Sequence, residues 1–387
     1  MRLMMKWVAI LTWLLCTAAA YAKKNDGIGM SFSLACMMAY EEGGVSGVLN
    51  SPECPWLSFP SSLHSSNSNN HCHFATLQGR RDYQEDRLLC NLHLHLPFSH
   101  VAGEEGVPSI GVAAIFDGHG GREASEMASA MLSPYLLINV AFMASKRVLP
   151  SNDEYNKTQC SLQRAQAVID HDTLRSVLEE ALLRTIQDID SEFSKQALDK
   201  GYVSGSTATV ALLFEGQLLV ANVGDSKALL CSKHGDSSKQ VYVEELTRDH
   251  HPDREDEKTR IEAAGGFITR YGVPRVNGIL ALSRAIGDVY FKRFGVTAEA
   301  EVTSWKAFTS ENSYLVVASD GVFETLTPKD VCRLLHNKGS SSLPEQIIRR
   351  AFETGSMDNL SAIVISHLVS CCGRESTESI ITSTSFA

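Results

Sequence analysis

The chain has 387 residues, 44% hydrophobic and 21% charged, so it can bury a core and is not disordered overall. Its 27 glycines and 11 prolines exclude the collagen and low-complexity classes. With 35 basic against 45 acidic residues the net charge is -10, which argues against nucleic acid as a partner.

Arg2 and Lys6 precede an apolar run from Trp7 to Ala20, and Ala20-Tyr21-Ala22 then offers a small-residue cleavage site. The run is shorter than the roughly 20 residues of a bilayer span. Residues 1–22 therefore read as a secretory signal peptide, with an uncleaved signal-anchor as the alternative. The expected location is the secretory pathway or a membrane surface held by this segment. Lys23 and Lys24 after the run leave cytoplasmic exposure of the rest open. Residues 23–73 end in SPECPWLSFPSSLHSSNSNNHCH and read as a loosely ordered lead-in. The 10 cysteines match no zinc spacing. In an oxidising lumen some of Cys36, Cys54 and Cys72 can pair, in a connectivity the sequence does not fix. His71-Cys72-His73 reads as a loop. Asn156-Lys157-Thr158 is a glycosylation sequon, in keeping with export.

From Phe74 to residue 368 the composition is globular. GVAAIFD (111–117) predicts a buried strand that delivers Asp117 at its end. After Gly118, Gly120 and Gly121 a helix is predicted from Arg122 to about Met143. A second spans about 162–199, where Leu174, Leu178, Leu182, Ile186, Ile189 and Phe193 form one apolar stripe. TATVALLF, QLLVANV and SKALLC, parted by Glu215-Gly216 and Gly224-Asp225, predict a β-meander. Asp253 to Ala264 is a charged helix closed by Gly265 and Gly266. SYLVVAS (313–319) is a strand ending at Asp320, helices follow near 328–337 and 344–353, and LSAIVISHL (360–368) is a last strand after Asp358-Asn359. Residues 369–387 are a polar tail. Strands grouped apart from helices predict an α+β layered domain.

The acids carry the chemistry. Asp117, Asp225, Asp320 and Asp358 each lie at a strand edge beside Gly, Ser or Asn, and Glu85-Asp86 follows Arg80-Arg81. A single acid in such a place is an ordinary solvated turn residue. Several at one end of a sheet repel one another unless cations neutralise them, and Mg²⁺ or Mn²⁺ with oxygen ligands suits that need. Two such ions can share a water and aim it at phosphorus.

RRDYQEDR, FDGHGG, SGSTATVAL, VANVGDSKALL, LTRDHHPD, RIEAAGG, RVNGILALSRAIGD, VVASDGVFETL and GSMDN occur in this order. Together they resemble the metal-dependent serine/threonine protein phosphatases of type 2C, with wording nearest to plant members, over about residues 74–368. The resemblance implies a central antiparallel β-sandwich with α-helices on both faces and the metal site at one end. It implies two Mg²⁺ or Mn²⁺ ions held by Asp86, Asp117, the Gly118 carbonyl, Asp320 and Asp358. Glu85 resembles an acid acting through metal-bound water, Arg81 the phosphate-binding arginine, and His119 the general acid for the leaving oxygen. The implied reaction is direct attack on phosphoserine or phosphothreonine in a protein substrate, with no phosphoenzyme, by a monomer. As alternatives, Arg81 neutralises Glu85 or Asp86, and His119 is a structural cap.

Two departures bear on this. Glu324 stands where the family has an aspartate, and Phe323 where it has a tryptophan, which puts a third, weaker metal site shared with Asp225 in doubt and opens the alternative of a pseudophosphatase that binds phosphoproteins. Tyr271 replaces the tryptophan of hormone co-receptor members, which argues against that partnership. Asp288 lies in a family motif without a metal role. Gly224-Asp225-Ser226 resembles a GDS esterase nucleophile, but no D-x-x-H follows it.

Overall fold

The computed structural model describes residues 32–54, 72–97, 107–148, 169–233, 241–309, 314–335 and 342–366. The predicted signal segment, the Asn156 sequon and the polar tail lie outside the described residues. The long strands are β1 (Cys72–Leu77), β2 (Arg87–His95), β3 (Ser109–Phe116), β4 (Ala208–Phe214), β5 (Gln217–Val223), β6 (Lys227–Lys233), β7 (Val241–Glu245), β8 (Tyr314–Ala318) and β9 (Leu360–Ser366). The longer helices are α1 (Leu34–Asn50), α2 (Glu123–Val148), α3 (His171–Lys200), α4 (Glu255–Ala263), α5 (Pro328–Leu334) and α6 (Leu343–Glu353).

Alternation within the strands decides how these elements stack. In β3, Ala113 and Ile115 face one apolar cluster while Val112, Ala114 and Phe116 face another. In β9, Ile363 and Ile365 join the first of these while Leu360, Ala362 and Val364 join a third. Side chains of period two that are apolar on both faces need cover on both. One sheet runs β1-β9-β8-β6-β7; the other runs from the short strand Glu301–Val302 through β5, β4 and β3 to β2. All of these pairs are antiparallel. The two sheets meet through Ala113, Ile115, Leu213, Leu230, Leu315 and Ile363. Helices α1, α2 and α3 cover the outer face of the β3 sheet, and α5 and α6 cover the outer face of the β9 sheet. The expected antiparallel sandwich with helices on both faces is what forms.

Local signals set the helix ends. Asp170 caps α3 by accepting from Thr173 N, and Gly201 closes it in the left-handed region at φ 72°. This cap starts the helix at His171, later than the expected 162. Thr327 and Asp330 form a capping box on α5, as Ser342 and Glu345 do on α6.

The lead-in expected over residues 23–73 is corrected between residues 34 and 54. There α1 buries Cys36, Tyr40, Val45 and Val48, and Tyr40 stacks on Phe142 of α2 with ring centroids 4.4 Å apart. Gly43, Gly44 and Gly47 hide this helix from a propensity reading. Gly44 sits at φ 58° in a kink, where a Cβ would lie 2.5 Å from Asp188 Oδ1. Close approach to α3 therefore requires the glycine.

Among the described residues three disulfides staple the layers. Cys36–Cys54 closes α1 on its following loop, Cys72–Cys90 ties β1 of one sheet to β2 of the other, and Cys231–Cys332 ties β6 to α5. Among the described residues one helical stretch, Glu123–Arg147, is long and apolar enough to cross a membrane, but it is mostly buried. Its apolar surface is that of a core helix packed between the sheet, α1 and α3.

Candidate active site

Antiparallel pairing brings the acids together. Asp86 precedes β2 and Asp117 follows β3, and Arg87 pairs with Phe116 across these strands, so both carboxylates emerge at the same edge. Ala318 of β8 pairs with Ala362 of β9, which sets Asp320 after one strand near Asp358 before the other. Asp225 lies in the tight connection between β5 and β6. All five acids converge at one end of the sandwich.

Burial and mutual repulsion dominate their electrostatics. Burial lifts the Asp86 carboxyl to about 6, against hydrogen bonds from Ser361 and Ser319. Asp320 rises to about 8 through burial and then the charges of Asp225 and Asp358. Asp117 is pushed well above the carboxylate range by burial, then by Asp86, Asp320 and Asp225. Asp225 is also raised, by burial first, although His251 pulls it down. Burial and like charge raise crowded acids in this way. Asp86 Oδ1 and Asp320 Oδ1 are buried without a hydrogen-bond partner among the described residues. Orphaned anionic oxygens inside a protein are costly, and a hard divalent cation is the partner that suits them.

The surrounding loops hold this arrangement. A Cβ on Gly118 would lie 2.5 Å from the Glu85 carbonyl oxygen and 2.7 Å from Ser125 Oγ, so only glycine lets the chain run there. Glu85 Oε1 accepts from Gly121 N at 2.8 Å, and Glu85 N donates to Asn359 Oδ1 at 2.8 Å. Asn359 Nδ2 also donates to the carbonyl oxygens of Gln78 (2.7 Å) and Tyr83 (2.9 Å), clamping the loop that carries Arg81 and Glu85. Arg81 Nη2 donates to Asp358 Oδ2 at 2.6 Å rather than neutralising Glu85 or Asp86. Burial lowers the Arg81 pKa, but the charge and hydrogen bond of Asp358 outweigh it and the net shift is upward. His119 Nε2 lies 2.6 Å from Asp288 Oδ2.

Every residue singled out for the site in the sequence therefore lies at this end. Sequence reasoning missed Ser319, Ser361 and Asn359, and gave Asp288 no role. The first two have a signal: each is a polar residue at the end of an apolar strand that also carries a site acid. Ser226 of the esterase-like motif is fully buried, with its Oγ 2.9 Å from Thr207 Oγ1, so it is no surface nucleophile. Glu324 Oε2 accepts from Ser356 Oγ and Met357 N, both at 2.9 Å. A separate acidic group, Asp256, Glu257 and Glu301, is already neutralised by Arg254, Arg260 and Arg284.

Crowded, cation-seeking carboxylates at the end of an α/β/β/α sandwich, with an arginine and a histidine beside them, define a metal-dependent hydrolase for an anionic ester. Comparison with known proteins narrows the class. The family profile "Protein phosphatase 2C" matches residues 70–360. The Arabidopsis thaliana "Probable protein phosphatase 2C 51" is 39% identical, over 86% of this chain and 78% of that protein. The Oryza sativa subsp. japonica "Putative protein phosphatase 2C 76" is 37% identical, over 86% of this chain and 84% of that protein. The solved serine-threonine phosphatase 2C from Toxoplasma gondii shares the fold with a TM-score of 0.62 at 21% identity, over 76% of this chain and 94% of that one. The chain belongs to the protein phosphatase 2C family and is a metal-dependent protein serine/threonine phosphatase, similar to plant members.

Proposed function

We propose that the chain hydrolyses phosphoserine and phosphothreonine in proteins at a site for two Mg²⁺ or Mn²⁺ ions, without a phosphoenzyme. Asp86, Asp117, Asp320, Asp358 and the Gly118 carbonyl would hold the ions. The observation that carries this is the pair of buried carboxylate oxygens on Asp86 and Asp320 that have no hydrogen-bond partner among the described residues. When bound, such ions lower the pKa of a shared water and screen the charge of the phosphoryl group. The chain's own groups do the rest. Arg81 offers a planar fork that orients a phosphate dianion. His119 gives a proton to the departing serine or threonine oxygen. Glu85 would act on the ions only indirectly, while its Oε1 accepts from the Gly121 amide. Direct attack by water fits the burial of Ser226, the hydroxyl of the esterase-like motif.

Two ions, rather than three, suit this chain. Glu324 spends its carboxylate on Ser356 and Met357, so the position that would complete a third site is engaged in holding a turn. The pseudophosphatase alternative has no support in the core, where all the acids converge. Hydrolysis of a phosphothreonine peptide with Mn²⁺, against an Asp117→Asn control, tests the assignment; equal turnover by the two proteins would sink it.

The compartment reading is the secretory pathway or a membrane surface, with a monomeric domain. The disulfides Cys36–Cys54, Cys72–Cys90 and Cys231–Cys332 support an oxidising lumen. An endoglycosidase mobility shift that depends on Asn156 checks it.

A further inference from the structure

We propose that Asp288 is the positioning residue for His119, holding its imidazole so that Nδ1 faces the departing oxygen; this rests on the phosphatase reading above. The support is a piece of architecture beside the acids. The short strands Gly118–His119, Gly205–Ser206 and Ile286–Gly287 form their own small antiparallel sheet. Its register sets His119 opposite Gly205, and Gly205 opposite Gly287. A Cβ on Gly205 would fall 2.2 Å from Asp288 Oδ2 and 2.5 Å from His119 Nε2. The missing side chain in the middle strand is therefore what lets the flanking imidazole and carboxylate meet.

Asp288 bears the marks of a residue held in place at a cost. Its backbone sits at φ 48°, ψ 42°, in the left-handed region that non-glycine residues avoid. Its side chain is 4% exposed, against 31% for His119. The turn that carries it is anchored to α3: Asp190 Oδ1 accepts from Gly287 N at 2.8 Å and pairs with Lys292 Nζ at 2.9 Å. Lys292 Nζ also donates to the Ala285 carbonyl at 2.8 Å, and Asp288 N donates to the Ser204 carbonyl at 3.2 Å. A long helix thus fixes a strained turn, the turn fixes a carboxylate, and the carboxylate fixes one nitrogen of the histidine.

This divides the ring between two tasks. Nε2 is held by Asp288, which leaves Nδ1 as the nitrogen that donates. As water oxygen bonds to phosphorus, the phosphorus–Oγ bond breaks and Oγ takes the Nδ1 proton. The proton lost by the attacking water passes to solvent, and solvent restores the one on His119. A carboxylate that fixes the orientation of a histidine in this way serves the proton donor without touching substrate.

The test exploits leaving groups. A p-nitrophenyl phosphate ester releases a stable phenolate and needs little proton donation; a phosphothreonine peptide releases an alkoxide and needs it. For Asp288→Asn, kcat on the peptide is expected to fall by up to about a hundredfold, with a far smaller fall on p-nitrophenyl phosphate. KM for the peptide and Mn²⁺ affinity by calorimetry should hold. The double variant His119→Gln/Asp288→Asn should be no slower on the peptide than His119→Gln alone. Equal losses on the two substrates, or additive losses in the double variant, overturn the positioning role. If the wild-type protein turns over neither substrate, the phosphatase reading fails and this proposal falls with it.

Discussion

Arg81 Nη2 and Asp358 Oδ2 lie 2.6 Å apart, joining a guanidinium that is 55% exposed to a carboxylate that is 17% exposed. The pair bridges the mouth of the site and its acidic floor. A cation held by Asp358 and a phosphate held by Arg81 would satisfy both groups in the same arrangement, with the arginine swinging toward the ligand. Removing the fork should cost about 1.5–3 kcal/mol, the worth of hydrogen bonds to charged groups. Arg81→Ala is therefore expected to raise KM for a phosphopeptide roughly ten- to hundredfold, with a smaller change in kcat. Arg81→Lys keeps the charge without the planar fork and should recover only part of the loss. Steady-state kinetics at saturating Mn²⁺ decide it; a wild-type KM in Arg81→Ala would remove Arg81 from phosphate binding.

How far the sequence reaches depends on whether a signal is local. Asp117 and Asp320 are legible because each ends an apolar run and stands next to a glycine. Strand β2 is not, because Asn91 interrupts its pattern where its pairing with β3 shifts, between Asn91 and Leu94. Helix α1 is hidden by glycines, of which Gly44 answers to a contact with Asp188, far along the chain. The partner of Arg81 is 277 residues away, and the meeting of His119 with Asp288 depends on the absence of a side chain at Gly205. Nothing in the spacing of residues encodes such register. Family motifs mark these positions, but only the fold assigns their contacts.

Crowding of Asp86, Asp117, Asp225 and Asp320 predicts a trade between stability and function. Asp117→Asn removes one acid from a buried group of like charges, so in chelator the variant should melt above the wild type. Adding Mn²⁺ should reverse the order. At a hundredfold excess over its dissociation constant, a ligand bound only by the folded state stabilises it by about 2.7 kcal/mol. The wild type should gain several degrees on Mn²⁺ addition and the variant much less. Calorimetric scans with and without Mn²⁺ read both effects, and an equal Mn²⁺ response in the two proteins would remove Asp117 from the ligand set.

The disulfides make different contributions. Cys231 and Cys332 are 101 residues apart, whereas Cys36 and Cys54, like Cys72 and Cys90, are 18 apart. Closing the longer loop restricts the unfolded chain more, about 4–5 kcal/mol against about 3 kcal/mol in the chain-entropy account. Cys231→Ala/Cys332→Ala should therefore lower Tm more than Cys72→Ala/Cys90→Ala. It also opens the β6–α5 contact, whereas the Cys72–Cys90 bridge joins strands that backbone pairing already holds within their sheets. Denaturation curves of the two double variants, each with the other bridges confirmed intact by mass spectrometry, make the comparison. Equal midpoints would show that loop length is not what sets their worth.

His250 makes the fold sensitive to acid. It is fully buried, with Nδ1 3.0 Å from both Gly224 N and the Gly224 carbonyl oxygen. Burial first, then the charges of Arg284 and Arg254, drives its pKa down from 6.5 to about 4, although Glu301 and Glu257 push the other way. Its neutral form is thus the one the native state accepts. In the unfolded chain it takes up a proton near 6.5, before the native state does. Between these values the unfolded state binds more protons, so stability rises with pH there. The contribution is complete above about 6.5 and is lost as pH falls toward 4. His250→Asn, which keeps a polar atom near Gly224 and cannot titrate, should flatten this part of the stability profile while lowering the plateau at neutral pH. Urea denaturation at steps between pH 7 and 4, with Mg²⁺ held constant, measures the two slopes; parallel curves would place the acid sensitivity in the carboxylate site instead.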